Sequence, residues 1–244
     1  MVTPSTSSRP TLRFAASEED CDRVFRFRYQ VYVEEMLRKQ RYADPVRRRI
    51  EEPFDATAYI LMAEVEDRVV GTLRANLARE TDLSYYPELF SMDVVGSAFP
   101  GAVSLSTKFM IAPEHRAGTL AVRMARVFYE LGRAHGIRFD FLDCNEHLES
   151  FFARLGYRRY VPHVEHPEYG RVLPLCIHLE DRDYLVRIGS PLVRDHGWGG
   201  DLEVSIPSRP VALAGDRIRP FPAPLSVSMH PQSQPQPQPH ARAA

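Results

Sequence analysis

The chain reads as an α/β protein, and three observations carry that reading. Between residues 104 and 160, strand-like and helix-like stretches alternate: SLSTKFMI, then a basic turn, then an amphipathic segment, then RFDFL, then a short second helix. Within the amphipathic segment, Leu120, Met124, Val127, Phe128 and Leu131 fall at i, i+4, i+7, i+8 and i+11, one apolar stripe on a polar helix. The 244 residues are 44% hydrophobic and 26% charged, an ordinary globular composition with enough chain for one substantial core.

Residues 1–10 are Ser/Thr/Pro-rich and read as a disordered lead; 11–16 can form a short strand. Residues 18–39 read as a helix opened by Glu18, Glu19 and Asp20, which suit the positive end of the helix dipole. Val24, Phe27 and Val31 share one face of it, and Phe25, Tyr29, Tyr32 and Met36 the adjoining one. A charged connection, 38–52, leads to two strands, 57–65 and 68–78, joined by the tight acidic turn Glu66-Asp67. A short helix and loop over 84–99 precede a strand at 103–112, a turn at 113–118 and the helix 119–135, with Gly136 as its stop. Then follow a strand (138–142), a helix (145–155) with Asn145 as N-cap, closing strands (157–161 and 172–179) around the HPEYG loop, and a last helical turn at 181–188. Residues 207–244 hold nine of the chain's 20 prolines, so the segment 191–244 is expected to be a flexible Pro/Gln-rich tail beside a domain spanning 11–190.

Bulk properties exclude several function classes. No apolar run approaches the length of a membrane span, and residues 1–10 lack the apolar core of a secretory signal. Cys21, Cys144 and Cys176 are odd in number and widely spaced, which argues for a reducing cytoplasm rather than a disulfide framework or zinc knuckle. Cys144 reads as a buried small hydrophobe rather than an acyl-accepting thiol. His163, Glu165 and His166 lack metal-ligand spacing, so no metal is expected. A net charge of −1 offers no general attraction to nucleic acid.

The chemistry-bearing signals cluster in the middle of the chain. A strand that feeds a small-residue turn and a helix N-terminus leaves backbone N–H groups free, and such a cluster suits a phosphate or pyrophosphate. Here that turn is Arg116, Ala117, Gly118, Thr119, Leu120, Ala121. His147 falls in the first turn of the next helix, where the dipole favours a neutral imidazole of the kind an amine's general base requires; Glu146 and Glu149 are its rivals. Arg28 lies on an apolar helix face, where a lone cation is costly unless paired. By strict alternation Ser104, Ser106, Lys108 and Met110 share one strand face, a polar stripe that suggests a lined site.

This order of elements resembles the acyl-carrier-binding half of the GNAT acyltransferase superfamily. More closely it is similar to the branch of acyl-homoserine-lactone synthases and long-chain N-acyl amino acid synthases. In the phosphate turn Arg116 and Ala121 fit that pattern, while Thr119 stands where a Gly is usual. Asn145, Gly156 and Tyr157 match the second half. Arg28, Val31 and Tyr32 match the N-terminal helix, without the Trp that usually follows. Glu52-Pro53-Phe54-Asp55 and Gly71-Thr72-Leu73-Arg74 match the next two motifs. Lys108 takes an Arg position, and Leu105 takes that of a Glu implicated in lactone synthesis.

The resemblance implies an α/β (α+β mixed) GNAT fold, with a central mixed sheet, splayed at the middle and flanked by helices. It implies transfer of an acyl group, expected to be long, from a thioester to the amine of an amino acid or related small molecule. The alternatives are lactone synthesis, or a silent module that only binds acyl carriers. His147, with Asn145 and Glu149, would form the catalytic group. Phe109, Met110, Ile111, the turn 116–121 and Phe152 would hold the carrier arm, with Phe109, Phe151 and Phe152 lining an acyl tunnel. Arg28, Asp55, Arg74 and Lys108 would hold the acceptor, or the first three would form a structural ion network. No tightly bound cofactor is expected; the co-substrate would be acyl-CoA or the phosphopantetheine of an acyl carrier protein. An acidic carrier protein would dock on Arg123, Arg126 and Arg133, expected to point to water.

Overall fold

A computed structural model describes residues 9–193 and 204–213 of the chain. It opens with strand β1 (Thr11–Phe14) and helix α1 (Glu18–Tyr29), capped by the Ser17 hydroxyl, which accepts from the Asp20 N–H at 3.1 Å. The predicted helix does not run on to residue 39 as an α-helix. It loosens into a π-helical turn, Gln30–Glu35, and Met36 at its end is exposed. A small hairpin, β2 (Ala43–Asp44) and β3 (Arg49–Ile50), lies inside the charged connection. A 3₁₀ turn, Pro53–Thr57, then leads into strands β4 (Tyr59–Val65) and β5 (Arg68–Leu77). Glu66 and Asp67 between them both have positive φ, 49° and 64°, the twist that a two-residue hairpin demands.

After α2 (Tyr86–Leu89) come β6 (Val103–Ile111), α3 (Leu120–Ala134) and β7 (Phe139–Cys144). Then follow α4 (Glu149–Leu155), β8 (Arg158–Arg159), β9 (Val164–His166), β10 (Gly170–His178) and α5 (Arg182–Arg187). Asn145 occupies the N-cap position, but of a 3₁₀ turn, Glu146–Leu148, ahead of α4; its side chain makes no capping bond. The eight-stranded sheet runs β1-β4-β5-β6-β7-β10-β8, with β9 paired to β10. Every pairing is antiparallel except β6 with β7, which is parallel and limited to Val103↔Phe139, Ser104↔Asp140 and Leu105↔Phe141. Beyond Leu105 the two strands part, so the mixed sheet is splayed at its middle as the sequence motifs imply.

A bulge sets the faces of β6. Register against β5 slips between Thr72↔Met110 and Arg74↔Thr107, and Lys108 has φ +55°. Strict alternation therefore fails. Ser104 and Ser106 both donate to Asp140 on the α3 side, whereas Thr107 accepts from Arg74 and Lys108 reaches Glu52 on the α1 side. The expected shared polar face of Ser104, Ser106 and Lys108 is thus divided between the two sides of the sheet.

The segment after residue 190 is not all set apart from the domain. Ser190 and Leu192 are buried, and Val204 and Ile206 pack against the main core. Val211 and Leu213 cover the α1 side of β4. The His135 ring donates to the Pro207 carbonyl at 2.8 Å. The rest of the expected tail, like residues 1–8, lies outside the described residues.

Two outcomes test this packing. A chain ending at residue 193 should lose about 2–4 kcal/mol, at roughly 1 kcal/mol or less for each half-buried aliphatic removed, read as a lower Tm; an unchanged Tm would mean the segment contributes no burial. Gly156 has φ +121°, and a Cβ there would meet Leu185 Cδ2 at 2.3 Å. Gly156→Ala should cost about 1–3 kcal/mol in denaturant unfolding, because an L side chain is strained at this φ and Leu185 would have to shift inside the core.

Candidate active site

A ladder of buried ion pairs crosses the α1 side of the sheet. Arg28 is fully buried and donates through Nη1 to both oxygens of Asp55 at 2.8 Å. Asp55 also accepts from Arg74 at 3.1 Å and from the Glu52 backbone N–H at 2.7 Å. Arg74 reaches Glu52 at 2.8 Å, and Glu52 in turn holds Lys108 at 2.5 Å. Burial alone would raise the Glu52 carboxyl, but Lys108 and Arg74 outweigh it and hold the group well below the usual carboxylate range. Burial likewise works against the Lys108 ammonium, and Glu52 overcomes it, so Lys108 stays charged.

Lys108 is where the ladder meets open space. Its ammonium sits 5.0 Å from the Tyr32 ring centroid and 5.1 Å from that of Tyr169, and it donates to the Tyr169 hydroxyl. The π-helical turn aims Tyr32 here, a frequent use of such turns. A cavity of about 150 Å³ opens beside Lys108 in the cleft between β6 and β7. Tyr32, Arg38, Tyr86, Asp143 and Tyr169 line its polar end; Phe109, Phe128, Leu142, Phe152 and Leu155 line its apolar end. One end can therefore take a charged acceptor and the other a hydrocarbon chain.

Behind Tyr86 stands His166. Its Nδ1 accepts from the backbone N–H groups of Glu168 (3.1 Å) and Tyr169 (3.2 Å), which assigns the ring proton to Nε2. Nε2 then faces the hydroxyls of Tyr86 (3.1 Å) and Tyr85 (3.3 Å). Burial, with Lys108 nearby, pushes the imidazole down to about 4, so it is neutral at pH 7. His166 and Tyr169 come from the HPEYG loop, where the sequence pattern points only to a rejected metal site at His166 and to a loop between strands.

The other expected site residues are distributed unevenly. Phe109, Phe152 and Asn145 line the cavity, as do Cys144 and Tyr157. Burial pushes the Cys144 thiol up to about 12, which removes the thiolate that an acyl acceptor needs. Arg28 and Asp55 do not reach the cavity and form its scaffold, as does Arg74. Nor do Met110 and Ile111 line it. His147 is exposed and outside it, and Glu149 is engaged with Arg159 at 3.1 Å. The expected catalytic set is therefore not assembled around His147. His147 lies in the 3₁₀ turn Glu146–Leu148, not in the first turn of an α-helix.

In the turn 116–121, Arg116 clamps the strand end by donating to the Ile111 carbonyl (2.8 Å) and pairs with Glu35 (2.7 Å). The Arg116 and Gly118 amides are taken within the turn by Pro113 and His115. Arg123 N–H closes a helical bond onto Thr119, so the amides of Thr119, Leu120, Ala121 and Val122 are those left at the helix start. Arg123 itself is buried, and donates to the Pro10 carbonyl at 2.8 Å. It does not point to water; Arg126 is half-buried and Arg133 exposed.

The ladder makes stability depend on acid. Because the folded Glu52 carboxyl titrates below its unfolded counterpart, near 4.3, its contribution is present above that pH and fades as pH falls toward the folded value. Glu52→Gln should cost about 3–5 kcal/mol at pH 7, and the Tm gap from wild type should close between pH 4.5 and 2. A gap constant with pH would show that Glu52 is not held ionised.

The N-acyl amino acid synthase FeeM family model matches residues 23–178. No curated protein matches the sequence. Among solved structures, the fold resembles that of LasI, an acyl-homoserine-lactone synthase (TM-score 0.58, 17% identity, 78% of this chain and all of LasI). It also resembles MesI, a CoA-dependent acyl-homoserine-lactone synthase (0.55, 20%, 72% of this chain and 92% of MesI). FeeM itself, from uncultured soil microbes, aligns at 0.55 with 12% identity over 72% of this chain and 94% of its own. At such identities these likenesses establish a GNAT fold, and the family match carries the activity, transfer of an acyl group to an amine. With 156 of its 244 residues matched, the chain belongs to the FeeM family of N-acyl amino acid synthases.

Proposed function

We propose that the amine is that of an α-amino acid, bound at the polar end of the cavity with its carboxylate toward Lys108 and Tyr169. The supporting observation is a charge imbalance. Arg28, Arg74 and Lys108 bring three buried cations to the ladder, and Asp55 and Glu52 bring two carboxylates. Within the five-membered ladder one positive charge is left over, and Lys108 carries it to the cavity wall, which Asp143 also lines. A carboxylate on the acceptor neutralises it in a setting where charge-assisted bonds are strong. Lactone synthesis is the weaker reading, since Leu105 stands fully buried among Phe54 and Phe141 where that chemistry places an acid.

The acyl thioester enters from the α3 side. Its carbonyl lies against β6 beyond Leu105, where the strand has no partner on the β7 side among the described residues. Its chain runs toward Phe109 and Phe152, and its phosphate meets the free amides at the start of α3. The donor is acyl-CoA or an acyl carrier protein. Arg126 and Arg133 remain as the cationic face for the carrier, without Arg123. The three cysteines are free thiols, which fits work in the reducing cytoplasm. No helix among the described residues is long and apolar enough to cross a membrane.

Mass spectrometry of lipid extracts from overproducing cells identifies the head group; an N-acyl amino acid is expected, and an acyl-homoserine lactone would overturn the acceptor reading. For the donor site, Gly118 has room for a side chain, its nearest neighbour being His115 O at 3.7 Å. Gly118→Glu should therefore leave Tm unchanged and raise KM for the acyl donor about tenfold or more through repulsion of the phosphate. Unaltered donor KM would remove the phosphate from this turn.

A further inference from the structure

We propose that Asp143 is the catalytic base, taking the proton from the acceptor nitrogen as the C–N bond forms. The proposal rests on the amino-acid reading above. Two acidic side chains lie on the strand that leaves β6, and they stand in opposite circumstances. Asp140 faces the α3 side and is saturated: Ser104 donates to it at 2.5 Å, Ser106 at 2.9 Å and Tyr157 at 2.5 Å. Asp143 shares the face of Phe141, lines the cavity beside Lys108, and receives no side-chain hydrogen bond from any described residue.

A carboxylate that accepts only from its own backbone N–H, half-buried and lining the cavity, is placed for a cationic or proton-bearing ligand group. Lys108 and Asp143 then present opposite charges to one small space, matching the carboxylate and amino ends of an amino acid. The groups facing Asp143 are Lys108 on β6 and Tyr85 and Tyr86 at the start of α2, with Cys144 adjoining it on β7. Burial raises its carboxyl to about 6, with Lys108 pulling the other way, so at neutral pH it is ionised and as basic as a carboxylate in water is not.

The step balances without a further reactant. The neutral amine's lone pair bonds to the thioester carbonyl carbon; one N–H proton passes to the Asp143 carboxylate. Collapse of the tetrahedral adduct breaks the C–S bond, and the proton on Asp143 goes to the departing thiolate. The products are the N-acyl amino acid and the free carrier thiol. His147, exposed and outside the cavity, has no part in it.

The test compares wild type, Asp143→Asn and Asp143→Glu, with an acyl-CoA donor and either a mixture of amino acids or hydroxylamine as acceptor, from pH 5 to 9. Asp143→Asn should lower kcat about 10²- to 10⁴-fold with donor binding unchanged. It should also abolish the acid limb of kcat/KM near pH 6, below which the protonated carboxyl cannot act. Asp143→Glu should restore part of kcat. An Asn variant within threefold of wild type, or one that keeps the limb, overturns the assignment. Failure of the amino-acid reading shows separately, as wild-type enzyme that acylates hydroxylamine but no amino acid; because hydroxylamine itself titrates near pH 6, the loss of kcat at pH 8 in Asp143→Asn, and its partial return in Asp143→Glu, then decide on Asp143.

Discussion

The site depends on keeping Glu52 ionised in a place that excludes water. A carboxylate moved there alone would neutralise itself. Lys108 on one side and Arg74 on the other prevent that, and Arg74 is held in turn by Asp55, which is held by Arg28. Each member is affordable only because its neighbour is present. Helix α1, the 3₁₀ turn, β5 and β6 each contribute at least one member, so the ladder also fixes their mutual positions. Well-packed apolar residues would do that as stably. What they would not do is deliver a cation to the cavity wall.

The bulge at Lys108 solves a second problem. A regular strand would send Lys108 to the side of Ser106 and Asp140, and the ladder would end at Arg74. One residue with φ +55° turns Lys108 to join Thr107 on the α1 side. The same irregularity falls where β6 and β7 separate. Cation placement and cleft opening thus share one local distortion of the backbone.

Much of the fold was legible because its signals are local. The stripe of α3, the turn at Glu66-Asp67 and the Gly156 stop each depend on residues within a few positions. The ladder was legible in part: Arg28, Asp55 and Arg74 could be picked out from their motifs, yet their depth could not. Burial of a charge is a property of elements far apart in sequence, here 27 residues between Arg28 and Asp55. The bulge was invisible, since Ser-x-Ser-x-Lys reads as clean alternation. His147 stands at a spacing that predicts a helical first turn, whereas the chain there forms a 3₁₀ turn and leaves His147 exposed. Asp143 carries no local signal, and the one at His166 points to a metal it does not hold the spacing for. Each acquires its role from partners brought by β6, β10 or α2.

The parallel seam between β6 and β7 is three residues long, between Val103 and Leu105 on one side and Phe139 and Phe141 on the other. Antiparallel ladders on either flank are much longer. Mechanically the sheet is two stiff leaves on one short hinge, and the cavity lies between the leaves. Separation at the far end is then amplified by leverage from small rotations at the seam. Widening the gap requires no strand to break register, because the two leaves share only those three residues.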